Sequence, residues 1–452
     1  MQRVLGSTLR YDTAGVSDPL PDPPSSDEAE FARQAERVGL TLPRRRSLDL
    51  RWVSIVLVAV VAASLGFGQW SGWAVGPRHV AEPAEVYGPQ NCVGAPPAVT
   101  AHLPGVVASD EGPGWAASVG DLGSAFSNWS GGCIHLAIST SAGDGYSPEL
   151  ADRGALFVLG PALPTPADRA NLSARVAVVP AALVAVEIVY DLPGLSKPLQ
   201  LNGSVLAGIY EGSITSWGDP RIAALNPGLN LSSEPSIVPV YRTDPTEDNQ
   251  VLTTLLAETN RSWASAVGIG PTVAWPDGRG VSGPSAMENT LETTPGAVGY
   301  LESEVPPDGV VRAAWIQSAA GPFVGPGAGN VTSAAAALAA DPALSQHDWA
   351  NASLVDAPGA SSYPLDELVY ATVYQDLGTA YTGNLSLTNA TWLLSFLWWS
   401  VTNGTTGTPA SGLAALPGPL VGTAQQVLEN ETYDGHSILE ANEPSGGETG
   451  EF

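Results

Sequence analysis

The sequence predicts an α/β protein that is held at a membrane by one N-terminal helix. From about residue 95 onward, short runs of β-branched residues alternate with Ala- and Leu-rich stretches, which is typical of α/β sheet architectures. An earlier uncharged apolar stretch, Trp52–Val75, reaches the roughly 20 residues that a helix needs to cross a bilayer. The chain is also acidic, with 18 Lys and Arg against 45 Asp and Glu. Such a chain is a poor candidate for binding nucleic acid, whose phosphates are held by clustered Lys and Arg.

The flanks of the apolar stretch predict its orientation. Arg44, Arg45, Arg46 and Arg51 precede it, and no comparable cluster follows it. The positive-inside rule therefore places residues 1–51 in the cytoplasm and the chain after residue 75 outside the cell, in a single-pass arrangement. A cleaved secretion signal is the alternative, with residues 62–64 as a small-residue cleavage region. Residues 1–51 and the acidic tail 441–452 are predicted to be disordered, and residues 76–94 to be a linker.

Cysteines and glycosylation acceptors fit an extracellular location. Cys92 and Cys133 would pair as a disulfide in an oxidising compartment, and two free buried thiols are the alternative. Neither belongs to a CxxC motif, so no metal site and no cofactor are expected. Asn-x-Ser/Thr sequons occur only after the apolar stretch, which predicts a glycoprotein. They begin at Asn128, Asn171, Asn202, Asn230, Asn260, Asn330, Asn351, Asn384, Asn389, Asn403 and Asn430.

The alternating part of the chain yields specific strands and helices. The predicted strands are Cys133–Ser139, Ala155–Leu159, Leu183–Tyr190 and Ile237–Tyr241. The predicted helices are Gly114–Ser127, Val251–Glu258, Val331–Ala340 and Thr388–Val401. The apolar run Arg175–Tyr190 contains Pro180 and Glu187 and is expected to form buried strands, not a second membrane span.

Several segments resemble one family, the PstS-type phosphate-binding proteins of phosphate ABC transporters. The resemblance is nearly unbroken over Val186–Leu231, which includes VEIVYDLPGLSKPLQLNGSVLAGIYEGSITSWGDPRIAALNP. It continues in TPGAVGYLE (Thr294–Glu302), in GPFVGPGAGNVTSAAAA (Gly321–Ala337) and in FLWWSVTNG (Phe396–Gly404). The resemblance implies a bilobed, type II periplasmic-binding-protein-like ectodomain in which crossover strands join two α/β lobes. Residues 95–180 plus 310–440 would form lobe one, and residues 181–309 would form lobe two.

The family's four phosphate-binding loops are altered to different degrees here. The first has no clear counterpart around residues 99–108. The second corresponds to Ile138–Gly145, where Thr140 and Ser141 could still offer hydroxyls, and an ordinary loop at a strand end is the alternative. In the third, Pro161 falls at or near an Asp that accepts a hydrogen bond from phosphate. The fourth corresponds to RTDPTEDN, and its candidate ligand residues are Arg242, Thr243, Asp244 and Thr246.

Read from the residues alone, this fourth segment is a strong helix start. Asp244 is predicted to be the N-cap, Pro245 to occupy the first helical position, and Glu247 to complete a capping-box-like arrangement. Carboxylates there use the same N–H donors and the same positive helix end that would hold an anion. Asp244 is expected to orient Arg242 and not to touch an anion.

The sequence is therefore compatible with two functions. The first is a membrane-anchored extracellular solute-binding protein that delivers phosphate or another small anion to an ABC permease, with weakened or altered phosphate binding. The second is a non-transport surface domain for interaction, assembly or sensing, built on the same fold. No nucleophile elbow, P-loop or dinucleotide fingerprint occurs, so the chain is not expected to be an enzyme.

Overall fold

The structure is a computed structural model that describes residues 101–108, 113–130, 134–141, 150–302, 309–338, 349–404 and 412–439. All of them lie in one compact unit, His79–Phe452. The predicted anchor, both tails, the linker, Cys92 and Cys133 lie outside the described residues. Within the described ranges, no helix combines the length and the apolar character needed to cross a membrane.

Fifteen strands are present in these ranges. They are β1 Ala101–Ala108, β2 Ile134–Ser141, β3 Phe157–Gly160, β4 Val176–Tyr190, β5 Gln200–Leu201, β6 Val238–Arg242, β7 Arg279–Val281, β8 Ala297–Glu302, β9 Arg312–Ala313, β10 Trp315–Gln317, β11 Phe323–Val324, β12 Asp366–Tyr374, β13 Leu413–Ala414, β14 Thr432–Tyr433 and β15 His436–Ser437. Each strand predicted from the β-branched runs is found within a residue or two of its expected bounds, except that β4 extends further toward the N-terminus.

Helices follow the strands as the alternating pattern predicts. They are α1 Pro113–Trp129, α2 Pro166–Asn171, α3 Gly203–Tyr210, α4 Pro220–Leu225, α5 Glu247–Thr259, α6 Arg261–Ala266, α7 Pro284–Thr293, α8 Ala328–Leu338, α9 Leu377–Ala380, α10 Leu387–Trp399 and α11 Gly418–Glu429. A 3-10 turn covers Trp349–Asn351, and a π turn, Ser400–Gly404, extends α10.

One long strand joins the two halves of the fold. The main sheet has the order β2-β1-β3-β12-β4-β8-β6-β7, with β9 and β13 also paired to β4. As far as Ala185, β4 pairs with β12, and from Val186 it pairs with β8. The fifteen residues of β4 therefore serve both halves of the predicted bilobed fold, and the change of partner marks the passage between them.

Pro180 does not divide this strand. The sequence predicts buried strands over 175–190, and the structure has one strand there, although proline cannot donate a ladder hydrogen bond. The register between β12 and β4 shifts at this point: Val369 lies opposite Ala182, whereas Tyr370 lies opposite Pro180. The shift leaves Ala181 as an extra residue, and such a bulge accommodates a missing donor.

Large aromatic side chains pack together in both halves of the fold. Phe396 of α10 packs against Phe126 and Phe157, with ring centroids 5.3 Å and 5.5 Å apart, and all three are fully buried. On the other half, Trp275 packs against Tyr241 at 5.1 Å.

Candidate functional site

A cavity of about 470 Å³ lies beside the first residues of β12, which pair with β4 next to the point where β4 changes partner. One wall is a face of α5 formed by Glu247, Gln250, Val251, Thr254 and Glu258. These positions repeat at three- and four-residue intervals, so they share one side of the helix. The opposite wall is formed by Pro161, Leu163, Trp349–Val355, Asp366–Leu368 and Tyr370. The cavity therefore lies between residues of the two predicted lobes.

Helix α5 begins two residues later than the sequence predicted. Its N-cap is Thr246, whose hydroxyl accepts a hydrogen bond from the Asp248 N–H at 3.3 Å. Asp244 is not the cap, and the capping-box interpretation with Glu247 is wrong. The physical reason is that other donors bind the Asp244 carboxylate.

Those donors belong to Arg242 and Gly283. The Nε of Arg242 lies 3.0 Å and 3.1 Å from the two carboxylate oxygens of Asp244, and a second guanidinium nitrogen also contacts Oδ2. The Gly283 N–H donates to Asp244 Oδ1 at 2.9 Å. Burial raises the pKa of the Asp244 carboxyl, but hydrogen bonds from Arg242 and Gly283 outweigh this effect and leave the pKa below its ordinary value. Asp244 orients Arg242, in line with the expectation from the sequence.

Asn249 holds the turn together, and sequence reasoning missed it. Its side-chain amide donates to the carbonyls of Arg242, Asp244 and Pro271 at 2.9–3.2 Å. Its Oδ1 accepts from the Tyr300 hydroxyl, which in turn accepts from the Arg242 N–H at 2.8 Å. Asn249 is fully buried. Only these contacts reveal its role.

The other candidate ligand residues are placed as follows. The hydroxyl of Thr243 donates to the Val281 carbonyl at 3.0 Å, so β7 engages it. Thr140 and Ser141 form the last two residues of β2, and their side chains lie outside what the structure describes. The described residues that line the cavity do not include Arg242, Thr243, Asp244 or Thr246. The structure thus brings Arg242 and Asp244 into contact with each other, but neither residue lines the cavity.

Acidic side chains line both walls of the cavity. Glu247 and Glu258 lie on the α5 wall, and Asp366 and Glu367 lie on the β12 wall. Among the described lining residues there is no Lys, Arg or His. Burial, reinforced by the carboxylate of Asp356, raises the pKa of Glu258. Pro161, predicted to replace a phosphate-accepting Asp, does line this cavity.

Three carboxylates converge beside the cavity without any signal in the sequence. Asp248, Glu302 and Glu367 each place an oxygen within 4.8 Å of the others. The ladder explains why two of them meet, since Glu302 pairs with Val186 and Glu367 with Val184 of the same strand. Positions 184 and 186 face the same side of β4. The three residues are 54 or more positions apart in the sequence, so their spacing could not reveal the cluster.

The sequon asparagines are accessible to different degrees. All eleven are exposed or partly exposed. Asn202 and Asn260 cap α3 and α6 with their side chains. Asn351 lies on the cavity wall. Attachment of glycans remains a prediction.

Comparison with known proteins places the chain in a family. The model of the PBP superfamily domain matches residues 167–403, which is more than half of the chain. The chain belongs to the PBP superfamily. This membership accounts for the two half-sheets joined through β4, and it agrees with the bilobed architecture that the motifs predicted.

Curated relatives confirm the PstS-type resemblance. The phosphate-binding protein PstS of Methanocaldococcus jannaschii is 30% identical over 230 residues, covering 49% of this chain and 58% of that protein. PstS of Pasteurella multocida is 35% identical over 149 residues, covering 33% of this chain and 43% of that protein. The chain thus spans about half the length of the curated relatives it matches.

Solved structures share the fold. A high-affinity periplasmic phosphate-binding protein bound with phosphate superposes with a TM-score of 0.52 at 17% identity, covering 72% of this chain and 93% of that one. An ancestral soluble variant of the human phosphate-binding protein superposes with a TM-score of 0.52 at 16% identity, covering 74% and 99%. At these identities the likeness shows the fold alone.

Proposed function

We propose that this chain is a membrane-anchored extracellular solute-binding protein of the PstS type, with weak or altered phosphate binding. The fold, the superfamily membership and the similarity to proteins named PstS support the solute-binding part. The function is binding and delivery, and no catalytic step is proposed.

The acidic side chains that line the cavity support the second part of the proposal, which is weak or altered phosphate binding. A buried phosphate site needs many donors, because an unpaired buried charge is costly. Here the lining presents the carboxyl groups of Glu247, Glu258 and Glu367, while Arg242 is bound to Asp244 outside the lining. Like charges at close range oppose entry of an anion by about 1 kcal/mol or more, depending on the local dielectric.

Anchoring and location rest on the sequence. The apolar stretch Trp52–Val75 and the preceding arginines support a single-pass protein with its N-terminus in the cytoplasm. In such an arrangement the binding unit would stand outside the cell beside an ABC permease. Membrane fractionation, followed by protease digestion of intact cells, tests this: residues after 75 should be digested and residues 1–51 protected.

The comparisons do not favour the alternative of a non-transport surface domain. The relatives named above are all called phosphate-binding proteins. We therefore retain the solute-binding proposal.

Calorimetric titration of the full chain with phosphate tests the altered cleft. We expect no binding, or binding weaker than micromolar. The PstS protein of Methanocaldococcus jannaschii, titrated in the same buffer, is the positive control. A micromolar or tighter dissociation constant for this chain would overturn the proposal.

A further inference from the structure

The first residue of β12 lies at the passage between the two halves of the fold. Asp366 pairs with Ala185, the last residue of β4 before this strand changes its partner from β12 to β8. Next to this pair, the Val186 N–H donates to the Leu365 carbonyl at 2.8 Å, and the Tyr363 hydroxyl donates to the Val186 carbonyl at 3.2 Å. A rotation of one half against the other would therefore bend the backbone beside Asp366.

The carboxyl group of Asp366 has no partner although it is buried. Only 1% of the residue is exposed, and among the described residues neither carboxyl oxygen has a hydrogen-bond partner. Asp366 also lines the cavity between α5 and β12. Buried polar groups are nearly always hydrogen-bonded, so an exception calls for an explanation. Ionisation of Asp366 in this buried position is costly, because an unpaired charge there has lost its water.

The ionisable groups around Asp366 do not offset a negative charge. The pKa of Tyr363 is raised well above its ordinary value by burial and then by the nearby carboxylates of Glu187 and Asp366, so its phenol is neutral near pH 7. Among the described residues, the other ionisable side chains that line the cavity are those of Glu247, Glu258, Glu367 and Tyr370. None of these is cationic, and burial raises the pKa of Asp366 well above its ordinary value.

Opening of the cavity would change the protonation of Asp366. Water that reaches the carboxyl group stabilises its ionised form, so in an open cavity the pKa lies close to the ordinary value of an aspartate. The closed form, in which Asp366 is buried, therefore holds the proton to a higher pH than the open form does. Closure is fully favoured below the ordinary pKa and is lost progressively as the pH rises toward the pKa of the closed form.

We propose that Asp366 couples the opening of this cavity to the release of a proton. A rise in pH opens the cavity, and a fall in pH closes it. Rotation of two lobes about the strands that join them is a hinge motion, and Asp366 lies beside the strand that passes between the halves. The inference rests on the proposed solute-binding function, because it states how access to that site is regulated.

Single-molecule fluorescence energy transfer on the full chain tests the coupling. Azidophenylalanine in place of Ser265 on α6 and of Gln426 on α11 gives one exposed attachment site in each predicted lobe and leaves the native cysteines unlabelled. Measurements with pH-insensitive dyes between pH 5 and pH 8, without any added solute, give the ratio of open to closed molecules. We expect this ratio to rise with pH by up to about tenfold per pH unit, the limit for release of one proton.

Two Asp→Asn variants identify the group that is responsible. Asp366→Asn has nearly the same shape but cannot ionise, so it should keep at pH 8 the low ratio that the wild type shows at pH 5. Asp219→Asn is the matched control. Hydrogen bonds from Arg221 lower the pKa of Asp219 to about 2, so this carboxyl group is ionised over the whole range and its variant should show the wild-type rise. Circular dichroism establishes that each variant is folded, and Asp366→Ser replaces Asp366→Asn if the latter does not fold.

Distinct results separate this inference from the function on which it rests. A wild-type ratio that is constant or falls between pH 5 and pH 8 would overturn the inference. A rise that persists in the non-ionisable variant of Asp366, or one that is also lost in Asp219→Asn, would overturn it too, because another group would then be responsible. Tight phosphate binding in the calorimetric titration would overturn the proposed function and leave the proton coupling, which is measured without solute, in place.

Discussion

The buried guanidinium of Arg242 is bound by the carboxylate of Asp244 two residues further along the chain. The Arg242 side chain is 2% exposed and that of Asp244 26% exposed. Asp244 also receives the Gly283 N–H just before α7, so one carboxylate ties the end of β6 to a second helix. The resemblance implies that Arg242 binds an anionic ligand. Here the carboxylate of Asp244 neutralises the positive charge of Arg242 instead.

Removing the charge of Asp244 should destabilise the protein strongly. Asp244→Asn would leave the buried Arg242 without its counter-ion, and breaking a buried pair in this way costs about 3–5 kcal/mol. We expect a loss of that size in the free energy of unfolding, measured by urea denaturation.

A second Arg–Asp pair serves as the control. Asp219 and Arg221 are also two residues apart, but the Arg221 side chain is 52% exposed. Asp219→Asn should change stability little, because surface pairs contribute little and Asn also caps helices well. Equal losses in the two variants would contradict the interpretation of Arg242–Asp244 as a buried structural pair.

Asn249 is expected to be a stability determinant of the turn. Asn249→Ala would remove donors to three carbonyls and the acceptor of the Tyr300 hydroxyl. Each buried group left unsatisfied costs about 1–3 kcal/mol, so the total loss should exceed that of an ordinary surface substitution. Asn289→Ala on α7, where the asparagine is exposed, is the control. A loss no larger than in this control would show that water replaces the amide.

The sequence predicted the fold better than the site, for physical reasons. Runs of β-branched residues specify strands locally, which is why β2, β3 and β6 were predicted nearly at their observed bounds. The continuity of β4 through Pro180 depends on the register of β12, nearly 190 residues away, and no local pattern encodes it.

The same distinction applies to the candidate site. Arg242 and Asp244 are neighbours, so their relationship could be inferred. Asn249 contacts Pro271 and Tyr300, which are 22 and 51 residues away, and so its role could not be inferred. The helix start was misplaced because capping rules consider local N–H groups, whereas Asp244 binds Arg242 and the distant Gly283.

Buried Asp366 should make stability fall as the pH rises. Burial raises its pKa well above the ordinary value, so the folded state holds this proton to a higher pH than the unfolded state does. Its contribution is therefore complete below the ordinary pKa and is lost as the pH rises toward the folded value. Asp366→Asn cannot titrate, and so the variant should gain stability relative to wild type between pH 5 and pH 8.

Urea denaturation at both pH values measures this difference. We expect a larger gain at pH 8 than at pH 5, because the unfolded state releases the Asp366 proton at a lower pH than the folded state does. A gain for Asp366→Asn that is the same at pH 5 and pH 8 would mean that its carboxyl does not titrate differently in the two states.

Restoring the phosphate-binding turn alone should not restore phosphate binding. Pro245→Gly, Thr246→Ser, Glu247→Gly and Asp248→Thr would remove two carboxylates and let backbone approach an oxyanion, as glycine permits. Asn249 is retained because the turn depends on its amide. Pro161 still lines the cavity and offers no side-chain acceptor, so calorimetry should detect no micromolar phosphate binding.

Adding Pro161→Asp to the four changes should increase the phosphate affinity, whereas Pro161→Asp by itself should not. Micromolar binding by the variant with the turn changed alone would show that the carboxylates of α5, and not the whole cavity, exclude phosphate.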